Sequence, residues 1–279
     1  MIEPLYRTIG VASAFSPRFE QVLAEAKRVR DRLASELNLI YVGEKDEATT
    51  QRFATALAEL ALPADSIIHY QEGAPADAIL EVARRHGLEL IIAGALEKEV
   101  VLRSFLGNVA RRLVREAPCS VMLFTKPERE PKPFRRIVFF VPEYSAHVQR
   151  ALQQTLALAA KEGSENIYVI RVYTTFDAAR ATLQAHVDDS ASEQPKARTL
   201  EEEEDALDEF VAASDESALS VETRCIRGNT GFAASDFVQA VEADLLVVPV
   251  EPSSEPTSEL PPHISWVTDV IPCNLWVIR

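Results

Sequence analysis

The chain states one pattern twice, and that duplication constrains its fold more than any other property. Arg7-Thr8-Ile9-Gly10-Val11, running on to Ser16, lines up with Arg136-Ile137-Val138-Phe139-Phe140, running on to Ser145. Glu72-Gly73 lines up with Arg227-Gly228, and Leu90-Ile91-Ile92-Ala93-Gly94 with Leu245-Leu246-Val247-Val248-Pro249. Ala117-Pro118-Cys119-Ser120-Val121 lines up with Ile271-Pro272-Cys273-Asn274-Leu275. The offset is 129 residues at Ser16 and Ser145 but 154 at Cys119 and Cys273, so one insertion of about 25 residues separates the copies. Each half of the 279 residues is about the size of a single domain, and a period this long marks a duplicated domain, not a solenoid.

Each copy reads as strands alternating with helices, the pattern of a doubly wound parallel sheet of five strands. In copy one the expected strands are Thr8–Ala12, Leu37–Val42, Ile67–Gln71, Leu90–Ala93 and Val121–Phe124. Leu90–Ala93 is wholly apolar, as a central strand covered on both faces requires. The first helix is signalled by Ser16 as N-cap and Pro17 behind it, then by Phe19, Val22, Leu23, Ala26, Val29 and Leu33 at helical spacing. Further helices are expected over Ala48–Leu60, from Pro75 to a stop at Gly87, and from Gly107 to Glu116. The division is a first domain over 1–126, a linker over 127–134 and a second domain over 135–279 carrying its insertion at 174–220. The polar centre of that insertion, Asp188–Pro195, is expected to be mobile, and Thr199-Leu200-Glu201-Glu202 has capping-box spacing ahead of a helix.

Charge restricts the partners. The net charge is −14, and residues 131–279 carry 12 Lys and Arg against 24 Asp and Glu, which opposes binding to nucleic acid or anionic lipid. No run is long and apolar enough for a membrane span, and the start of the chain lacks a secretory layout, so a cytoplasmic setting is expected. Three cysteines form no disulfide framework, and the five histidines have no metal-ligand spacing. No catalytic motif is present: no Gly-x-Ser-x-Gly, no Gly-x-Gly-x-x-Gly and no phosphate loop ending in Gly-Lys-Ser. Arg103, Arg111, Arg112 and Arg115 read as a solvated face, with an anion patch as the alternative.

In a doubly wound sheet, ligands enter beyond the carboxyl ends of the strands. Copy one presents Ser13-Ala14-Phe15-Ser16 there, and the loop from Gly94 to Asn108. Taken with Glu72-Gly73-Ala74-Pro75, Leu106-Gly107 and Ala117-Pro118-Cys119-Ser120-Val121, these features resemble a tandem universal stress protein over both halves. The resemblance implies a Rossmann-like fold in each half, and a pseudo-twofold pairing of Val121–Phe124 with Leu275–Ile278, antiparallel. It also implies a nucleotide site of the form Gly, two residues, Gly, nine residues, Gly and a hydroxyl residue.

Carried over, the first glycine is Gly94, the second position falls on Glu97, the third is Gly107 and the hydroxyl position falls on Asn108. The adenosine-contacting Asp falls on Ala14, and Val42 offers its backbone. Losing a charged partner at Ala14 costs about 1.5–3 kcal/mol in a dry site, and Glu97 beside a phosphate costs about 1–4 kcal/mol. Asn108 is a milder change, since its amide can still cap a helix. Copy two departs further: Pro249 stands at the first glycine, Pro261-Pro262 at Gly-Asn, and Glu251, Glu255 and Glu259 crowd the loop, with Glu143 alone keeping an acid at the Asp position.

The resulting expectation is a non-enzymatic, cytoplasmic stress-response protein with a degenerate nucleotide site in copy one and none in copy two. It needs no cofactor, and it pairs as a homodimer or as an intramolecular pseudo-dimer. The plainer reading of Gly94 and Gly107 is a strand-end turn and a packing contact. Two alternatives stay open. One is an adenine-nucleotide sensor or slow ATP hydrolase in the copy-one crevice, with Mg²⁺ offsetting Glu97. The other is a module whose protein partner docks on the insertion helix near Thr199–Ala213.

Overall fold

A computed structural model describes residues 5–33, 36–95, 99–100, 103–104, 107–184, 197–214, 219–251, 260, 265–268 and 271–279. The chain forms two compact units, one of residues 1–133, 250–260 and 268–279, the other of residues 134–249 and 261–267. No helix among the described residues is long and apolar enough to cross a membrane.

In the first unit the chain runs β1 (Thr8–Ser13), α1 (Phe19–Leu33), β2 (Glu36–Val42), α2 (Glu47–Glu59), β3 (Ile67–Gln71) and α3 (Pro75–His86), then β4 (Leu90–Gly94). Two short strands, β5 (Glu99–Val100) and β6 (Arg103–Ser104), form an antiparallel pair before α4 (Asn108–Glu116) and β7 (Ser120–Phe124). The strand order is β3-β2-β1-β4-β7, all parallel. The expected alternation is therefore present.

Local chemistry sets the boundaries. Asp46 caps α2 by accepting the Thr49 N–H at 2.6 Å, and Gly87 ends α3 in the left-handed region at φ 59°. Helix α1 begins later than Ser16 and Pro17 imply, because Ser16 spends its oxygens on a turn: its carbonyl accepts from Phe19 N–H at 3.1 Å and its hydroxyl from Arg18 N–H at 3.3 Å. The β5–β6 pair falls in what the sequence reads as loop. Two-residue strands carry no usable alternation.

The second unit runs β8 (Arg136–Phe140), α5 (Ala146–Glu162), β9 (Asn166–Tyr173), α6 (Thr175–Gln184), α7 (Leu200–Ala212), β10 (Val221–Arg227), α8 (Thr230–Ala240) and β11 (Leu245–Pro249). Its parallel order β10-β9-β8-β11 repeats the first four strands of the other copy. The capping box is formed: Glu202 N–H donates to Thr199 Oγ1 at 3.3 Å, and the Glu202 carboxylate accepts the Thr199 N–H at 2.7 Å. Helix α7 stands between β9 and β10 as α2 stands between β2 and β3, so α6 is the extra element. The sequence reading did not contain α6, and the expected mobile centre at 188–195 lies outside the described residues.

The closing strand β12 (Asn274–Ile278) belongs to the first unit, where it runs antiparallel to β7 with Trp276 opposite Met122. Leu275, Trp276 and Val277 are fully buried, and the Trp276 ring meets Tyr6 edge-on at 6.2 Å. Arg279 finishes the attachment. Its backbone N–H donates to Ser120 Oγ at 3.1 Å, and its guanidinium donates to the carbonyls of Val114 at 2.6 Å and Arg115 at 3.2 Å, the last turn of α4. Burial holds this guanidinium down to about 10 and pushes the neighbouring Cys119 thiol up to about 12. Cys119, Cys225 and Cys273 are all free thiols.

Two predictions arise here. Trp276→Ala is expected to cost about 3–5 kcal/mol, and hydrogen exchange should quicken at the β7 and β4 amides ahead of those of β8 and β9. The second concerns His69, whose Nε2–H donates to Asn38 at 2.9 Å and whose ring lies 4.0 Å from that of His86. Burial, then the charge of His86, holds His69 below the usual histidine range. The unfolded chain therefore takes up the proton first as pH falls, and stability is lost below about pH 6.5. The melting temperature should drop on acidification in the wild type, and drop less in His69→Gln.

Candidate functional site

Strand β1 lies between β2 and β4, so the residues that follow these three strands share one rim of the first unit. Ala14 follows β1 and is exposed, with its carbonyl accepting the Ser16 N–H at 2.6 Å. Val42 is the last residue of β2, in register with Gln71, and Gly43 turns away at φ 149°. Gly94 ends β4, exposed, and a Cβ built there would come within 3.3 Å of Val22. The loop after β4 returns to the same place: Gly107 N–H donates to the carbonyl of Ala95 at 3.0 Å. Glu97 lies outside the described residues.

Gly107 occupies the N-cap of α4, Asn108 is the first helical residue, and no side chain caps the helix. This corrects the expectation that Asn108 caps it. The first turn carries no acid, which leaves it a suitable place for an anion. Arg112 of this helix is not free to join an anion patch, since it pairs with Asp77 at 2.6 Å and with Glu116 at 2.7 Å.

The sequence reading missed what stands beside Ala14. Phe15 packs against Tyr41 at 5.0 Å, Phe53 at 4.8 Å and Phe19 at 5.1 Å between ring centres, and the Arg52 guanidinium lies 4.3 Å from the Phe15 ring centre. Tyr41 continues the cluster to Tyr70. The chain's own aromatic rings thus fill the rim beyond β1 and β2, where an incoming base would need an apolar surface. The signal was in the sequence as Phe15 in the rim loop, Tyr41 on a strand and Phe19 and Phe53 on helices, read as separate elements and not as one cluster.

The equivalent rim of the second unit is tied shut. Arg171 of β9 donates to the carbonyls of Val141 at 3.2 Å and Pro142 at 2.7 Å, just past β8, and forms an ion pair with the buried Glu203 of α7. The Tyr144 hydroxyl donates to Glu203 at 2.9 Å, and its ring is flanked by Arg171 and Arg198. Burial, ahead of the surrounding charges, pushes the Tyr144 hydroxyl well above its ordinary range. Glu143 is exposed, and Pro249 offers no N–H at the end of β11. The Pro261-Pro262 pair lies outside the described residues. Among those described, no group of His, Cys, Asp and Glu side chains is arranged to hold a metal ion.

The model of the universal stress protein family matches residues 5–125 and again residues 133–278. A universal stress protein of Methanocaldococcus jannaschii is 39% identical over 59 residues, which is 21% of this chain and 35% of that protein. This chain therefore spans about a third of that relative's length. One from Thermus aquaticus is 29% identical over 136 residues, 43% of this chain and 98% of that protein. Among solved structures, a functionally unknown protein of Pseudomonas aeruginosa PAO1 has a TM-score of 0.69 at 16% identity, covering 98% of this chain and 92% of its own. A universal stress protein of Archaeoglobus fulgidus has a TM-score of 0.65 at 14% identity, covering 97% of this chain and 98% of its own. Similarity at that identity shows the fold alone.

The Arg171–Glu203 pair yields a prediction. Glu203→Ala leaves a partly buried guanidinium without its carboxylate and should cost about 3 kcal/mol, read as a lower urea midpoint.

Proposed function

Because the chain belongs to the universal stress protein family across both halves, we propose that it is a non-enzymatic, cytoplasmic stress-response protein whose nucleotide cradle has been retired. The observation that carries this reading is the rim at Ala14: a small exposed side chain stands where a carboxylate is needed, and Phe15 and Tyr41 fill the neighbouring surface. A ligand would have to displace packed rings and gain no charged contact in return. In the second unit, Arg171 and Glu203 hold the same region closed, and Pro249 removes a donor. The reading assigns no catalytic step to either rim.

One observation favours a second reading. The first turn of α4, uncapped and free of acids beside Gly94 and Gly107, suits a phosphate, as an adenine-nucleotide sensor or a slow ATP hydrolase would need. A calorimetric titration of the full chain with Mg·ATP, alongside native mass spectrometry of the purified protein, separates the two. The expected result is no bound nucleotide and no saturation below about 1 mM in the wild type, an affinity weaker than about −4 kcal/mol. Glu97→Gly is expected to recover part of the binding. Micromolar binding by the wild type, or a co-purified adenine nucleotide, would overturn the retired-site reading.

A further inference from the structure

Beyond the carboxyl ends of β9 and β10, the second unit holds a cavity of ≈ 630 Å³. Its wall is α6, the helix added between β9 and α7, which contributes Thr175, Ala178, Ala181 and Thr182 to the lining. Leu200 of α7 and Arg227 of β10 complete it. The volume lies within the range of small-molecule sites.

The cavity is framed by fixed contacts. The Thr174 hydroxyl donates to Asp177 at 2.7 Å and pins the start of α6 to the end of β9. The Tyr173 hydroxyl donates to the Arg198 carbonyl at 3.0 Å and pins the approach to α7. Thr199 is held by its capping box, and the Thr182 hydroxyl donates to the Ala178 carbonyl at 2.9 Å. These threonine hydroxyls are thus spent on their own helices, so their methyl groups supply apolar surface alongside Ala178, Ala181 and Leu200. None of the described side chains of α6 is buried, so the helix adds no side chain to the core.

Two lining groups remain with polar capacity. Arg227, exposed and in register with Tyr173, makes no hydrogen bond or ion pair through its guanidinium among the described residues, and the Thr175 hydroxyl makes no hydrogen bond among them. An Arg fork over an apolar trough matches a planar carboxylate joined to an apolar body. The carboxylates of Asp177 and Glu202 are engaged by backbone N–H groups and oppose each negative charge a ligand brings, of which Arg227 can offset one. That selects a monoanion.

We propose that this cavity binds a small amphipathic carboxylate, with its head on Arg227 and the Thr175 hydroxyl and its aliphatic body along α6. The proposal concerns the second unit and does not depend on the fate of the nucleotide rim in the first. The test is calorimetric titration of the full chain with octanoate, with octan-1-ol as the uncharged comparator. Saturable octanoate binding is expected in the wild type, at least tenfold weaker for octan-1-ol. Arg227→Gln should weaken octanoate by tenfold or more, about 1.4 kcal/mol, and leave octan-1-ol unchanged. Ala181→Phe, which fills the trough, should abolish both. Wild-type-like melting of the two variants establishes that they are folded. Absence of saturation at low-millimolar octanoate, or an octanoate affinity unmoved by the two substitutions, would overturn the proposal.

Discussion

The antiparallel ladder between β7 and β12 settles how the two sequence repeats become two compact units. A parallel sheet ending at β7 would leave a row of unpaired backbone groups beside an apolar strand, a standing invitation to aggregate. Here that edge is covered by the closing strand of the other repeat, with Trp276 set among fully buried side chains. Asn274 reaches back to accept the Thr125 N–H at 3.0 Å, and Arg279 satisfies carbonyls at the end of α4. Both ends of the strand are therefore held by specific polar contacts, while its middle is held by packing. Sequence repeat and structural unit do not coincide at this strand.

Once that frame is fixed, the copies diverge in what they do with the carboxyl ends of their strands. Copy one fills the rim next to β1 with aromatic rings and keeps glycines at Gly94 and Gly107. Copy two uses a buried carboxylate, Glu203, to hold an arginine against the carbonyls that follow β8. A charge pair of this kind adds little net stability over apolar packing but is costly to break. Its effect is to fix one arrangement of the loop after β8. The extra helix α6 then creates concave space one strand further along, beside β9 and β10.

Most of the frame was legible because it rests on short-range signals. The run Ile67–Gln71, the left-handed stop at Gly87 and the capping box at Thr199 each follow from side-chain chemistry within a few residues. Helix α6 was not legible, because it has no core-facing stripe to give it an apolar period; Phe176 and Leu183 are each 68% exposed. The turn at Ser16–Arg18 was misread as a helix start because the same serine can serve either, and only the packed position of Phe19 decides between them. The candidate site residues were legible as positions on the chain, whereas the clustering of Phe15 with Tyr41 and Phe53, and of Arg171 with Glu203, depends on residues of different elements about 25 to 40 positions apart. Periodicity carries no information over that distance.

The place of β12 also orders events in time. A ribosome delivers the chain from its amino end, and domains usually close as they emerge. In this protein the other strands of the first unit are made first, yet its last strand is made only after the second repeat. During synthesis of everything between Phe124 and Asn274, the edge of β7 waits without its antiparallel partner. An open strand edge is a site for pairing with other strands, and synthesis of the second repeat sets how long that edge stays open.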